Sequence, residues 1–159
     1  MPRPVQLIDD ALLDATLARA KVAPRGRINH NLHSEAAPDP SRFLNAWTRG
    51  SYAAPHRHSV VPKPESFIIL RGEMVLFLFD DAGVVTEQVV LGRNGVWGID
   101  VAPALWHTVA VLTDTAVCFE IKAGPYDAAT DKEFAPWAPR EGEAGAADYL
   151  QALLARPGL

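Results

Sequence analysis

Five residues of this chain have types and spacings that could do chemistry together. His56 and His58 stand two apart, so on a strand both rings face the same side. Glu65 opens the apolar run Phe67-Ile68-Ile69-Leu70, and by the same alternation should face the way Phe67 and Ile69 face. His107 lies far along the chain, after the phrase Ala-Pro-Ala-Leu-Trp. Three imidazoles and one carboxylate brought together inside a β-structure would suit one divalent transition metal, Fe, Mn, Ni, Zn, Co or Cu. Mg and Ca prefer all-oxygen shells. Four such ligands in an octahedral site leave about two positions for water or a ligand. The fifth residue, Glu120, shares an apparent face with Cys118 and Ala116; if that face is inward it is a buried acid and the candidate catalytic group. A lone His-x-His is usually an ordinary surface or core pair. Here it is embedded in Gly-x5-His-x-His-x6-Glu-x6-Gly, from Gly50 to Gly72.

These residues need a rigid frame. Residues 9–22 read as a helix, with Asp9 or Asp10 as cap, Leu12, Leu13, Leu17 and Ala20 on one face, and Pro24 as the stop. Arg25 to His33 is polar and rich in hydrogen-bonding side chains, and reads as a link leading to a Pro38-Asp39-Pro40 loop. From Arg42 the pattern becomes β: strands over 42–48, around Tyr52 and His56, 67–70, 74–79, 84–91, 107–112 and 115–122. The turns between them are Arg71-Gly72-Glu73, Asp80 to Gly83, Gly92 to Gly95 and Thr113-Asp114. Short strands so spaced predict an all-β antiparallel jelly-roll barrel, not a parallel α/β sheet. After Lys122 follow an aromatic- and proline-rich arm, Tyr126 to Pro139, and a helix over 148–155. The arm is expected to cover the barrel or to build a subunit contact. The whole is expected to be one domain: helix and linker (1–40), barrel (41–123), arm and terminal helix packed on it (124–159).

Composition excludes some classes. The chain has 159 residues and a net charge of −4 with no basic run, which argues against nucleic-acid or anionic-membrane binding. No apolar stretch approaches the roughly 20 residues of a membrane span, and the lone Cys118 fits a reducing compartment, so a cytoplasmic setting is expected. A homodimer is expected, because jelly-roll sheets leave edges and apolar faces that a second subunit covers.

The phrase from Gly50 to Gly72 resembles the first motif of the cupin superfamily, with Gly50, His56, His58, Glu65 and Gly72 at its positions. The link from His58 to Glu65 is longer than the motif's and contains Pro62 and Pro64. The second motif's Pro-x-Gly turn is replaced by Val101-Ala-Pro-Ala-Leu-Trp-His107, without glycine. A resemblance over nearly the whole chain is to the WbuC family of cupin-fold metalloproteins. Arg-Phe-Leu-Asn-Ala (42–46), Pro-His-Arg-His (55–58), Lys-Pro-Glu-Ser-Phe (63–67), Trp-His-Thr (106–108), Gly-Pro-Tyr-Asp (124–127) and Lys-Glu-Phe-Ala-Pro-Trp-Ala-Pro (132–139) carry it. It implies the fold, the metal and a link to surface-polysaccharide biosynthesis, without a reaction.

Around the site, His33, Tyr52, Lys63 and Trp106 are the substrate-binding candidates; ordering of the link, solvated loops and packing are the plainer roles for the same residues. His30 shares with His33 the choice between the mouth of the barrel and the link, and Arg57 should point away from the metal side. Two functional classes follow. One is a metal-dependent isomerase or oxygenase acting on a small sugar or organic acid. The other is a metal-dependent binding or regulatory module without turnover. A metal-independent epimerase is disfavoured, since its His–Tyr chemistry needs no four-ligand set.

Overall fold

The structure, a computed structural model, describes residues 5–35, 37, 39–124 and 126–159. Pro38 and Pro125, read above as parts of a loop and of the arm, lie outside the described residues, as do residues 1–4.

Helix α1 (Asp10–Val22) begins where the sequence places its cap: the Asp9 side chain accepts a hydrogen bond from the Leu12 amide. Its buried face is Leu13, Thr16, Leu17 and Ala20, with Leu12 only partly covered. The strands are β1 (Arg27–Asn31), β2 (Ser41–Thr48), β3 (His56–Arg57), β4 (Glu65–Arg71), β5 (Met74–Phe79), β6 (Val85–Leu91), β7 (Gly98–Val101), β8 (Trp106–Val111), β9 (Thr115–Lys122) and β10 (Glu133–Phe134). Helix α2 (Ala146–Leu154) closes the order.

The strands form two antiparallel five-stranded sheets, ordered β1-β2-β9-β4-β7 and β10-β3-β8-β5-β6. They face each other as a cupin-type jelly roll, and their ladders do not close into one continuous barrel. Three apolar clusters hold the layers. Phe67, Ile69, Met74, Leu76, Val109 and Val111 meet between the sheets. Leu13, Leu17 and Ala20 of α1 press on Leu44, Ala46 and Val117, on the outer side of the first sheet. Leu150 and Leu153 of α2, with Ala135 of the arm, press on Val75, Phe77 and Ala110, on the outer side of the second. Alternation along β9 and β5 thus serves two cores at once.

Four expectations are corrected. The polar link from Arg25 contains β1, which pairs along β2 from Arg27↔Trp47 to Asn31↔Phe43, so the first sheet begins at Arg27. Its alternating residues, Arg27, Asn29 and Asn31, are polar because they line a wet cavity; no apolar periodicity marks the strand. β7 went unread because Gly98 interrupts its pattern. That glycine is required: a Cβ there would lie 2.6 Å from the Phe67 carbonyl oxygen. The strand near Tyr52 shrinks to His56–Arg57. Part of the arm is itself a strand, β10, laid on β3 with Glu133↔Arg57 and Phe134↔His56.

Candidate metal centre

The site gathers residues from both sheets. His56 on β3 lies directly opposite His107 on β8, and Glu65 reaches toward them from β4 of the facing sheet. His58 follows β3 by one residue and keeps its ring on the same side: the ring centroids of His56 and His58 are 5.3 Å apart, and those of His56 and His107 4.6 Å. One potential ligand atom from each of His56, His58, Glu65 and His107 lies within 4.8 Å of every other, and all four residues are buried.

The outer nitrogen of each ring is fixed by a main-chain carbonyl. His56 Nδ1 donates to Ala54 O (3.0 Å), His107 Nδ1 to Leu105 O (2.9 Å), and His58 Nδ1 to Asp131 O. Each imidazole therefore presents the Nε2 lone pair inward, the arrangement by which outer partners orient metal-ligating histidines. His107 Nε2 lies 3.1 Å from Glu65 Oε2. His56 Nε2 and His58 Nε2 are buried with no hydrogen-bond partner, and His58 Nε2 stands 3.5 Å from the Glu65 oxygen. Buried polar atoms without partners are costly. A cation shared with Glu65 would satisfy both.

Charge agrees with geometry. Burial first, then the charges of Lys132 and His107, keep His56 well below its usual range, so its ring is neutral. Burial would raise the Glu65 carboxyl, but its close polar neighbours His107, His58 and Glu120 outweigh it and hold it well below the usual range. Glu120 goes the other way: burial, and then the neighbouring Glu65 charge, push it well above the carboxylate range. Asn45 Nδ2 donates to Glu120 Oε2 at 2.9 Å. Two adjacent carboxyl groups thus divide into one ionised and one protonated. As metal ligands, three imidazoles and one carboxylate would carry a single formal negative charge, so a divalent ion bound there would leave the centre positive.

Beside this cluster runs a cavity of about 520 Å³, bordered by His56, Glu65, His107 and Glu120 at its floor. Arg27, Asn29, Asn31, Asn45 and Lys122 form one wall, Phe43 and Phe67 an apolar part, and Lys132 and Phe134 of the arm another side. Sequence reasoning missed Arg27, Asn29, Asn31, Asn45, Lys122, Asp131 and Lys132. The spacing of Arg27-x-Asn29-x-Asn31 was the available signal, since a strand facing a polar interior alternates with hydrophilic residues inside.

The substrate-binding candidates separate in space. His33 borders the cavity, and its Nδ1 lies 2.9 Å from Arg42 O. Tyr52 donates to Pro139 O (2.7 Å) and packs edge-on against Tyr149. Lys63 is buried, with its Nζ 3.4 Å from Asp131 Oδ1. Trp106 is buried on the outer side of its sheet beside Trp137; its Nε1 donates to Asp81 (2.9 Å), and the Arg57 guanidinium lies over its ring. His30 sits within β1, opposite Leu44. Arg57 points outward, as its alternation predicts, and pairs with Glu133. The arm's aromatics divide between the faces: Phe134 borders the cavity, and Trp137 packs on Phe79 outside.

The two-sheet jelly roll, with its imidazole–carboxylate cluster between the sheets, defines a cupin-fold protein. Residues 8–91 match the family described as a domain of unknown function, DUF6016, and the chain belongs to that family. No curated protein matches it. Among solved structures it is similar to the capsular polysaccharide assembling protein CapF from Staphylococcus aureus, at 16% identity and TM-score 0.54 over 67% of this chain and 34% of that one. It is similar to a dTDP sugar isomerase from Desulfovibrio desulfuricans G20 (18%, TM-score 0.51, 69% and 82%). It is similar also to KdgF from Halomonas sp. (16%, TM-score 0.52, 67% and 84%). The match thus spans about a third of the CapF chain, and at these identities the likeness shows the fold. Among the described residues, no helix is long and apolar enough to cross a membrane.

Proposed function

We propose that this chain binds one divalent transition metal through His56, His58, Glu65 and His107, and takes a small polyhydroxylated or carboxylated ligand, a sugar or sugar acid, against it. The observation that carries this reading is the pair of buried, partnerless Nε2 atoms of His56 and His58, aimed with His107 and Glu65 toward one point on a polar cavity. When bound, such a metal supplies Lewis-acid polarisation of a ligand oxygen. The chain's own residues do the rest. Asn29, Asn31 and Asn45 offer amides to hydroxyl groups, and Phe43 and Phe67 offer an apolar surface to a ring. Glu120, buried beside Glu65 and bordering the same cavity, is the carboxyl placed to exchange a proton with a bound ligand. That acid favours an isomerase-type enzyme over a binding or regulatory module with the same pocket.

The resemblance to the WbuC family supports a role linked to surface polysaccharide, and the buried, reduced Cys118 is compatible with a cytoplasmic setting. A homodimer belongs to the same proposal, supported by Ile68, Leu70 and Trp97, which stay exposed beside the β4–β7 edge. Light scattering checks it, and a mass of 17.2 kDa at micromolar concentration would count against it.

The deciding experiment measures metal by mass spectrometry on protein purified without chelator. The wild type should hold about one first-row metal ion per chain, and the His56→Ala/His58→Ala double variant none. Full occupancy in that variant would refute the assignment. A thermal-shift screen of sugar acids and nucleotide sugars on wild type and His107→Ala then tests the ligand. Compounds that stabilise both equally do not bind through the metal.

A further inference from the structure

Four cationic side chains border the cavity: Arg25, Arg27, Lys122 and Lys132. Three are committed. Arg25 and Arg27 both bind Glu141, and Lys122 is held by Asp131 (3.0 Å) and Glu65 (3.7 Å). Lys132 makes no ion pair with any described residue, and its side chain is open to the cavity space.

Its position is not left to chance, because the backbone is held on both sides. Asp131 is buried, pinned by Lys122 and Lys63, and its carbonyl takes the His58 ring proton. Glu133 is ladder-paired with Arg57 and bound to it by two hydrogen bonds, at 2.8 and 2.9 Å. With Glu133 turned outward, strand alternation sends both Lys132 and Phe134 inward, and both border the cavity. An ammonium on a flexible stem thus shares a chamber with the candidate metal cluster, on a main chain that cannot drift.

Accepting the metal site proposed above, we infer that Lys132 recognises the carboxylate of the ligand, so that the pocket selects a monosaccharide-sized organic acid over the neutral sugar. One compact ammonium matches one carboxylate. Phosphate is better served by guanidinium forks, and both guanidiniums at this cavity are taken by Glu141.

The test is calorimetric titration of metal-loaded protein with D-glucuronate, D-glucose and α-D-glucose 1-phosphate, on wild type, Lys132→Met and Lys132→Arg, with metal content measured on each. Wild type should bind glucuronate roughly 10- to 100-fold tighter than glucose, the range of one charge-assisted hydrogen bond. Lys132→Met should keep its metal and lose that preference, and Lys132→Arg should recover part of it. The inference is overturned if metal-loaded wild type binds acid and neutral sugar alike or binds no glucuronate. It is overturned equally if Lys132→Met binds glucuronate undiminished or loses its metal, or if the phosphate binds tightest. A wild type that holds no metal defeats the reading of the site itself, which the metal measurement reports separately.

Discussion

His58 Nδ1 donates to the main-chain carbonyl of Asp131, so a ring from the first histidine pair is held by a residue 73 positions later in the chain. The arm that supplies Asp131 is therefore part of the candidate metal centre. The Asp131 side chain ties this arm to Lys122 of β9 and to Lys63, all three buried.

Asp131→Ala should consequently act twice. Removing Asp131 takes one carboxylate out of a buried ion network and leaves Lys122 with Glu65 alone, at up to about 3–5 kcal/mol. Loss of the anchored carbonyl should also weaken metal binding by roughly 10- to 100-fold, as for other outer partners of ligating histidines. Denaturant unfolding and a competitive chelator titration read the two effects. A variant with wild-type metal affinity would show that the arm's carbonyl does not depend on its side chain.

Ala104 adopts φ +64 in the turn before His107, where the resembled cupin motif carries glycine. Left-handed backbone costs a residue with a Cβ about 1–2 kcal/mol, part of which glycine's greater unfolded-state freedom would cancel. The residue is exposed, and its amide reaches only His58 O, at 3.3 Å. Ala104→Gly should stabilise the protein by about 0.5–1 kcal/mol with metal content unchanged. A lower midpoint of unfolding would contradict this.

Gly50 and Gly72 bracket the histidine phrase and should not be equally replaceable. Both have positive φ, +86 and +74, but a Cβ on Gly50 meets nothing within 4 Å, whereas one on Gly72 would fall 2.2 Å from Thr115 O. Gly50→Ala should cost about 1–2 kcal/mol from backbone strain. Gly72→Ala should cost clearly more, because the β4–β5 turn must move away from β9. Parallel urea melts compare them, and equal losses would sink the argument.

Acid should loosen the grip of the Arg25–Glu141–Arg27 cluster on the cavity mouth. Although burial raises the Glu141 carboxyl, hydrogen bonding from Arg25 and the Arg27 charge win, so its folded pKa is depressed. A depressed carboxyl adds stability that is present above its unfolded value, about 4.3, and is lost as pH falls through the lower folded value. Glu141→Gln should therefore flatten the stability profile below pH of about 4.3. The effect should be modest and salt-sensitive, because Arg25 is largely solvated. An unchanged acid limb would argue that the cluster contributes nothing.

The sequence by itself determined the parts whose signal is local. Asp9 and Pro24 bound α1, glycine- and aspartate-rich turns mark most of the strands, and the spacing of His56, His58 and Glu65 marks the candidate ligand set, because strand period and turn chemistry act over a few residues. Even the outward Arg57 and the inward Glu65 follow from alternation alone. Only the tertiary structure decided what lies around those residues. β1 carries no apolar period because its Arg27, Asn29 and Asn31 face a polar chamber, and such a strand cannot be told from a hydrophilic loop until β2 pairs with it. Trp106, adjacent to His107 in sequence, lies on the far side of the sheet, since neighbours on a strand point opposite ways. The opposed protonation of Glu65 and Glu120, the bracing of His58 by Asp131 and the unpaired Lys132 in the cavity all depend on burial and on contacts between distant segments. Those are properties of packing, and no local pattern encodes them.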